Sequence, residues 1–529
     1  MNRFLLFIFA LMMTVAAQAQ FINNGATVTI QSGATLRVET DIQNNGTGTI
    51  TNNGTIEVSG NFSNAGTATL TGGVGLVKFI GTANTTLDTG GDVLFNVEMA
   101  KTGNATVALS APATIGGDLN FTGAGAKLIL GTHNLTMTKT SPDPITAVDH
   151  GTNGYVVTDG SGQLVKGINA NNASFVHEIG DMNNYTPLSS DVTGSYASAT
   201  IGARTVDAIH PNKPAEADSH LSRYWVVNAS GITSYDNLIT GTYASTGDAV
   251  GDPSRIKGAS FAASNWSFTN AATNGSSTVT GRTTQTSADF TGMNALNKVD
   301  LMVFLSGPLV GTAMTNALQI YDPDGPGPLT TILSQTSPYG SPTTTYNDIS
   351  NPLGVAGQVV DWVKVEVRDA VNLNNIRETK SLLLKTNGHI VDQTGNIPYF
   401  KDYSSNVRYA IHHRNHMAIL CNSTLGVFEG KNESYNTSTS LTQVVNSDVI
   451  NNPQLRQRNG IWCMVSGDLN SDLVIDGNDP SLFFTPFNNG DFDMYMTSDL
   501  NLDGVMDGND PPHFFYGFNL GLFSEILNY

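Results

Sequence analysis

Basic residues are scarce in this chain. Its 529 residues include 25 lysines and arginines against 44 aspartates and glutamates, a net charge of -19 at pH 7. A nucleic-acid binder needs a basic patch to meet phosphates; none is found, and nucleic acid is excluded as a partner. Charge of either sign is low, at 13% of residues. Cysteine occurs twice, at Cys421 and Cys463. In an oxidising compartment the two can form one bridge, and geometry decides between a bridge and two thiols. Long apolar runs are missing too. The stretch from Phe4 to Val15 is shorter than the ~20 residues that span a bilayer, and no later segment qualifies, so no transmembrane segment is expected. The motifs of several catalytic classes are absent: no His-Glu-x-x-His, no Gly-x-Ser-x-Gly and no phosphate-cradling Gly-Lys-Ser/Thr. His177-Glu178 lacks its second histidine. Paired carboxylates for glycoside hydrolysis need not be close in sequence, and only that route to catalysis stays open.

What is abundant is glycine, 54 residues of it, together with threonine, asparagine and serine. Short strands joined by tight turns use this composition, and long helices do not. Residues 1–19 read as a signal peptide: a charged start, an apolar core, and Ala17-Gln18-Ala19 as a small-x-small cleavage site. The mature chain is therefore expected to be secreted or extracellular, possible cell-surface attachment being left open by the sequence. Residues 20–145 are repetitive. Asn23-Asn24-Gly25, Asn44-Asn45-Gly46 and Asn64-Ala65-Gly66 recur, with short apolar-x-apolar runs such as Leu36-Arg37-Val38 and Ile56-Glu57-Val58 between them. A short strand followed by an Asn or Gly corner describes one coil of a β-solenoid, which buries its inward residues only by stacking on the next. The pattern resembles the β-helical regions of bacterial surface adhesins; the alternative reading is a sandwich of short strands.

From residue 146 the strands lengthen. Tyr155 to Thr158, Phe175 to Gly180 and Arg223-Tyr224-Trp225 follow in the order of a β-sandwich module that the segment 146–300 resembles, one common in surface proteins of the Bacteroidetes. No catalytic residue belongs to that module. Residues 301–466 are expected to form a second β-sandwich. Its clearest strand is Val363-Lys364-Val365-Glu366-Val367-Arg368, with valines inward and charges outward. Asn387-Gly388 reads as a hairpin turn. With Val360-Asp361-Trp362 and Arg414-Asn415-His416, the segment resembles a module that precedes calcium-loop tails in Bacteroidetes surface proteins. His412, His413 and His416 lie close together, but neighbours along a strand face opposite ways, and a strand end with a hydrogen-bonded turn is preferred over a metal site.

The chemistry is concentrated in residues 467–529, where one motif occurs twice. Hard calcium takes six to eight oxygen ligands, and a 12-residue loop supplies them from positions 1, 3, 5, 7, 9 and 12. In the first loop these are Asp468, Asn470, Asp472, Val474 through its carbonyl, Asp476 and Asp479; in the second they are Asp499, Asn501, Asp503, Val505 through its carbonyl, Asp507 and Asp510. Two Ca2+ ions are expected. Position 8 is apolar in both loops, Ile475 and Met506, and is expected to pack inward. The pair resembles a type I dockerin, a calcium-loop module that docks enzymes onto scaffold proteins. Two departures stand out. Leu473 occupies position 6 of the first loop where glycine eases a sharp turn, so that site is expected to be the weaker. Positions 10 and 11 are Gly477-Asn478 and Gly508-Asn509, without the small hydroxyl residues of dockerins, which speaks against a cohesin-type partner. Pro480, Pro511 and Pro512 follow the loops, and no docking helix is obvious after them.

The fold class expected is thus mainly β and multidomain: a β-solenoid, two β-sandwiches and a small EF-hand-like calcium module. The function expected is a structural or adhesive calcium-binding protein of the cell exterior, not an enzyme, with a surface protein or a glycan as its class of partner. The alternative is an exported polysaccharide-acting or carbohydrate-binding protein carrying a dockerin-type module.

Overall fold

The structure, a computed structural model, describes residues 20–528 apart from 72, 141–143, 172, 269–276, 321–330, 341–357, 402–405 and 426–431. The expected signal peptide lies outside the described residues. The protein is mainly β. Its described residues divide into two units, 1–213 with 218–294, and 214–217 with 295–529.

The first unit begins as a β-solenoid of about seven turns. Successive coils place one strand on each face. One face stacks Phe21–Asn24, Ile42–Asn45 and Phe62–Asn64 in parallel and continues to Ile179–Gly180. Another runs in register through Val38, Val58, Phe79, Met99 and Phe121. All five of these side chains are buried, because in a parallel stack an inward residue of one coil lands on the inward residue of the next. The strands alternate one buried and one open position, as in Thr55–Val58 and Leu76–Phe79.

The repeated asparagines do more than turn the chain. Asn23, Asn44 and Asn64 are buried and form a ladder. Asn23 Nδ2 donates to Asn44 Oδ1 at 2.9 Å and Asn44 Nδ2 to Asn64 Oδ1 at 2.6 Å. Asn64 Nδ2 then donates to Asp92 Oδ2 at 3.1 Å, which ends the series with a carboxylate. The glycines two residues after each rung, Gly25, Gly46 and Gly66, have φ of 104°, 60° and 74°, where a side chain would clash with its own backbone. Replacing Asn44 by alanine leaves Asn64 Oδ1 without its donor, takes one of three acceptors from Asn23 Nδ2, and removes the bonds of Asn44 Nδ2 to the Gly48 and Thr69 carbonyls inside the stack. A buried unsatisfied polar group costs about 1–3 kcal/mol, so Asn44→Ala is expected to lower the stability of the first unit by about 3 kcal/mol in denaturant unfolding; a loss under about 0.5 kcal/mol, the size of a neutral surface change, would show the ladder to be incidental.

Stacking passes residue 145 without a break. Gly154–Val157 pairs in parallel with Ala126–Ile129, and Leu164–Ile168 with Leu135–Met137. The second of these strands then pairs antiparallel with Leu188–Val206, which pairs with the long strand His220–Thr242. The solenoid face therefore runs on into an antiparallel sheet. Arg223, on that long strand, is wholly buried and meets Asp181 at 2.7 Å and Asp248 at 2.7 Å. Two residues on, Trp225 donates its indole N–H to the Thr186 carbonyl at 3.0 Å.

The second unit is centred on an antiparallel sheet. Its strand order is Ile390–Val391, Ile376–Lys385, Val359–Asp369, Val407–His413 and His416–Leu420. Asn387-Gly388 makes the expected turn, with Gly388 at φ 89° and Leu384 paired to Ile390. The strand Val359–Asp369 departs from the expected half-burial. Its valines face the main core, but Glu366 and Arg368 on the other face are buried as well. They survive burial by pairing: Arg368 Nη2 lies 2.6 Å from Glu366, and Lys364 Nζ 2.8 Å from it. Ala410, paired with Glu366 on the neighbouring strand, packs in a cluster with Leu373, Ala418, Leu420 and Ile526, against which Leu473 lies. Cys421 and Cys463 are buried and unbridged, and burial pushes both thiols up to about 12, so neither is a nucleophile at neutral pH.

Candidate metal centre

Each acidic loop closes onto itself by the same hydrogen bonds. In the first, Asp468 Oδ2 accepts from the Leu473 amide at 3.1 Å, Asn470 Oδ1 from Asp472 at 3.0 Å, and Asp472 Oδ1 from Val474 at 3.0 Å. Asp476 Oδ1 accepts from Asn478 at 2.8 Å, and Asp479 bridges the loop's ends by accepting from Leu469 at 2.8 Å and Asp476 at 2.9 Å. The second loop repeats the set through Asp499 to Gly504, Asn501 to Asp503, Asp503 to Val505, Asp507 to Asn509, and Asp510 to Leu500 and Asp507. Two sequences 31 positions apart thus fold to one local geometry.

The turns need left-handed backbone at positions 4 and 6. Ser471 and Leu502 have φ of 58° and 57°, and Leu473 and Gly504 have 75° and 90°. Glycine adopts this freely, whereas leucine pays steric strain of about 1–2 kcal/mol. Leu473 packs against the Ala418–Leu420–Ile526 cluster, which offsets part of that strain; the first loop still holds two non-glycine residues in left-handed backbone, Ser471 and Leu473, where the second holds Leu502 alone. The residues flanking Val474 and Val505 pair with extended chain. Ile475 donates to the Leu522 carbonyl at 2.7 Å and Met506 to the Asp491 carbonyl at 3.0 Å. Ile475 and Met506 are buried, as their apolar position 8 led one to expect.

Both loops are followed by helices, Pro480–Asn489 and Pro511–Leu520, which corrects the reading that no helix is obvious there. Proline is suited to a helix's first turn, where its missing N–H has no role, and Gly490 and Gly521 end the helices in the left-handed conformation. Aromatic side chains pair the two. Phe483 and Phe514 stack with ring centres 4.7 Å apart, and Phe487 and Phe518 extend the stack.

Electrostatics set the loops apart from ordinary turns. Asp468, Asp479, Asp499 and Asp510 are buried. Burial raises Asp468 to about 7, with Asp479 and Asp472 adding repulsion. Burial likewise raises Asp499 to about 7 and Asp510 to about 6. Asp468 Oδ1 is enclosed without a hydrogen-bond partner. Among the described residues, no three His, Cys, Asp or Glu side chains converge as a ready-made metal cage; the carboxylates turn to backbone amides instead. The donors are all oxygen, the set that hard cations take.

The second loop is held by residues outside it. Arg414 and Asn415 form the turn between Val407–His413 and His416–Leu420. Asn415 Nδ2 donates to the carbonyls of Thr497 at 3.0 Å and Asp499 at 2.7 Å, and Arg414 donates to that of Met496. Arg414 is anchored in turn on Asp361, whose Oδ2 lies 2.8 Å from its Nε and 3.1 Å from His413 Nε2, while Tyr495 donates to Oδ1 at 2.5 Å. Burial opposes charge on Asp361, but Arg414 and His413 outweigh it and hold the carboxyl down at about 2. Burial holds His413 below its ordinary value. His413 and His416 meet Nδ1 to Nδ1 at 3.1 Å, while His412 faces the other way, 3.1 Å from Glu366. Sequence reading noticed Asp361 and Arg414 only as marks of a module. Their pairing across 53 positions has no local signal. Comparison with family models, with curated proteins and with solved structures finds no match for this chain.

Proposed function

We propose that the protein is an exported structural or adhesive protein, without catalytic activity, whose second unit is closed by two calcium ions. In this reading the solenoid and the two sheet-rich regions after it, taken as β-sandwich modules, present surface to a protein or glycan partner. Residues 467–529 supply the calcium centre. The observation that carries the reading is the burial of Asp468, Asp479, Asp499 and Asp510 among further carboxylates, in two loops of one geometry. Uncompensated buried carboxylates are costly, and a divalent cation offsets that cost while binding the oxygen of Asp468 that lacks a partner. Asp468, Asn470, Asp472, Val474, Asp476 and Asp479 hold one ion; Asp499, Asn501, Asp503, Val505, Asp507 and Asp510 hold the other. The dockerin-type alternative draws support from the paired helices, which leave Phe484 and Phe515 exposed with ring centres 6.2 Å apart.

Calorimetric titration of the metal-stripped full chain with calcium is expected to give two ions bound. Asp468→Ala removes the weaker component, since Leu473 strains the first loop, and Asp499→Ala removes the tighter. A titration without heat, in a chain whose folding is verified, rejects the calcium reading.

A further inference from the structure

A cleft of about 530 Å³ opens in the second unit, away from the two loops' ligand oxygens. Its walls come from the segment 440–449, from Asn422 and from Trp462, and Glu525 closes it from within. The volume falls in the range of small-ligand sites, about 300–1,000 Å³. The lining is mixed in a particular way. Trp462 is partly exposed and offers a broad apolar surface beside Leu441 and Val445. Asn422, Ser440, Thr442, Asn446 and Ser447 supply amides and hydroxyls, groups that both donate and accept. Among the described residues no lysine or arginine lines the cleft, and Glu525 is its one acidic group.

We propose that this cleft binds a neutral saccharide. A pyranose has the complementary character: a face of C–H groups that lies on an indole, and an edge of hydroxyls that exchanges hydrogen bonds with amides and side-chain hydroxyls. An anionic ligand would meet the Glu525 carboxylate with no cation among the described lining residues to balance it. The polar groups are set in place by bonds of their own, Ser440 Oγ lying 2.9 Å from Thr442 Oγ1, Asn422 Nδ2 donating to the Thr442 carbonyl at 3.1 Å and Ser447 Oγ donating to Glu525; each hydroxyl keeps a lone pair and the amide a second N–H for a ligand's hydroxyls, which a purely apolar ligand would not use. The acidic residue is itself fixed. Glu525 Oε1 accepts from the Ser447 amide at 2.8 Å and Oε2 from Asn528 Nδ2 at 2.5 Å, while its own amide donates to Gln454 Oε1 at 2.9 Å.

The first acidic loop holds this wall in place. Val474 bridges Phe523, Ile475 donates to the Leu522 carbonyl, and Ser524 donates to the Leu473 carbonyl at 2.8 Å. Glu525 is the next residue. Saccharide binding is thus tied to calcium through the backbone, with no sugar oxygen on the ion. This second statement rests on the calcium reading; the first does not.

The test uses the full chain in calcium and a panel of neutral mono- and disaccharides (glucose, galactose, mannose, N-acetylglucosamine and their β-linked disaccharides), with galacturonate as the anionic probe. Calorimetry is expected to find at least one neutral sugar bound at one site, and galacturonate bound more weakly. Trp462→Ala should weaken binding about tenfold or more, as truncating an aromatic anchor does, while two calcium ions still bind. Trp462 also packs against the core, so Val449→Trp, at an exposed lining residue, provides a blocking variant that leaves the core alone; it should abolish binding in a chain with unchanged melting. Chelator should weaken sugar binding. No binding by any panel member, equal binding of galacturonate, or full binding in Val449→Trp overturns the assignment. Sugar binding that survives chelator overturns only the coupling to calcium.

Discussion

Stripping calcium from the full chain is expected, on the proposed function, to lower the melting temperature of the entire second unit, and not merely of its last sixty or so residues. The expectation follows from where the tail's side chains lie. Leu502 belongs to the main core together with Trp362, Val365 and Ile411. Ile475 and Leu522 pack with Met417 and Val465, and Ile526 with Ala410 and Leu420. Backbone and side-chain bonds join the same partners: Ser524 Oγ donates to the Ala418 carbonyl at 2.7 Å, and Gln454 Nε2 to that of Phe523 at 2.9 Å. Gly307 approaches the Leu500 carbonyl so closely that a Cβ there would sit 1.6 Å from the oxygen. No seam separates the loops from the sheet. At free calcium a hundred times the dissociation constant each site contributes about 2.7 kcal/mol, or about 5 kcal/mol for two. For a unit of this size that corresponds to a drop of roughly 10–20 °C. Scanning calorimetry with and without chelator measures it, the first unit's transition serving as internal reference. A separate low-temperature melting of the tail, with the main transition of the second unit unmoved, would show that the loops fold on their own.

The parts of this architecture that were legible in sequence are those set by local rules. Asn-Gly corners at a spacing of about twenty residues announced stacked coils, because a left-handed corner and an apolar-x-apolar strand leave few other options. That the same asparagines form a buried ladder was not legible, since a turn asparagine and a ladder asparagine look alike until stacking brings Asn23, Asn44 and Asn64 together. That the two acidic stretches form loops of one geometry was readable, because their spacing repeats within one short run of chain. The helices after them were missed. Proline-led, aromatic-rich segments carry little intrinsic helix preference, and it is the stacking of Phe483 on Phe514, a long-range contact, that makes them helices. The strand 363–368 misled for a related reason. Alternation correctly told which residues share a face, but Glu366 and Arg368 are buried through partners that it does not show, His412 on the neighbouring strand for Glu366 and the Leu373 carbonyl for Arg368.

Asp361→Ala is expected to cost the second unit about 3–5 kcal/mol, the usual penalty for stranding one partner of a buried ion pair. Asp361 is wholly buried and Arg414 nearly so. Removing the carboxylate leaves the guanidinium without its hydrogen-bonded ion-pair partner, and deprives His413 and the Tyr495 hydroxyl of their acceptor. Arg414 also lies over the Tyr495 ring, 4.2 Å from its centre, so the loss spreads to the segment that leads into the second loop. Pairing holds Asp361 at about 2, below the ordinary carboxylate value near 4. Its contribution is therefore present at neutral pH and is lost as the pH falls from about 4 to about 2. The double variant Asp361→Leu/Arg414→Met separates charge from packing. If the damage in Asp361→Ala comes from the stranded cation, removing both charges restores most of the stability, because well-packed apolar replacements of buried pairs are often neutral or better. In the second loop the two variants are expected to act alike. Asp361→Ala lets Arg414 swing away from the Met496 carbonyl and the double variant removes the tether outright, so calcium at Asp499 is expected to weaken in both, and only stability recovers in the double variant. Denaturant unfolding paired with calcium titration reads both quantities. Equal destabilisation of the single and double variants would mean that Asp361 holds the fold by shape and hydrogen bonding, not by compensating the charge of Arg414.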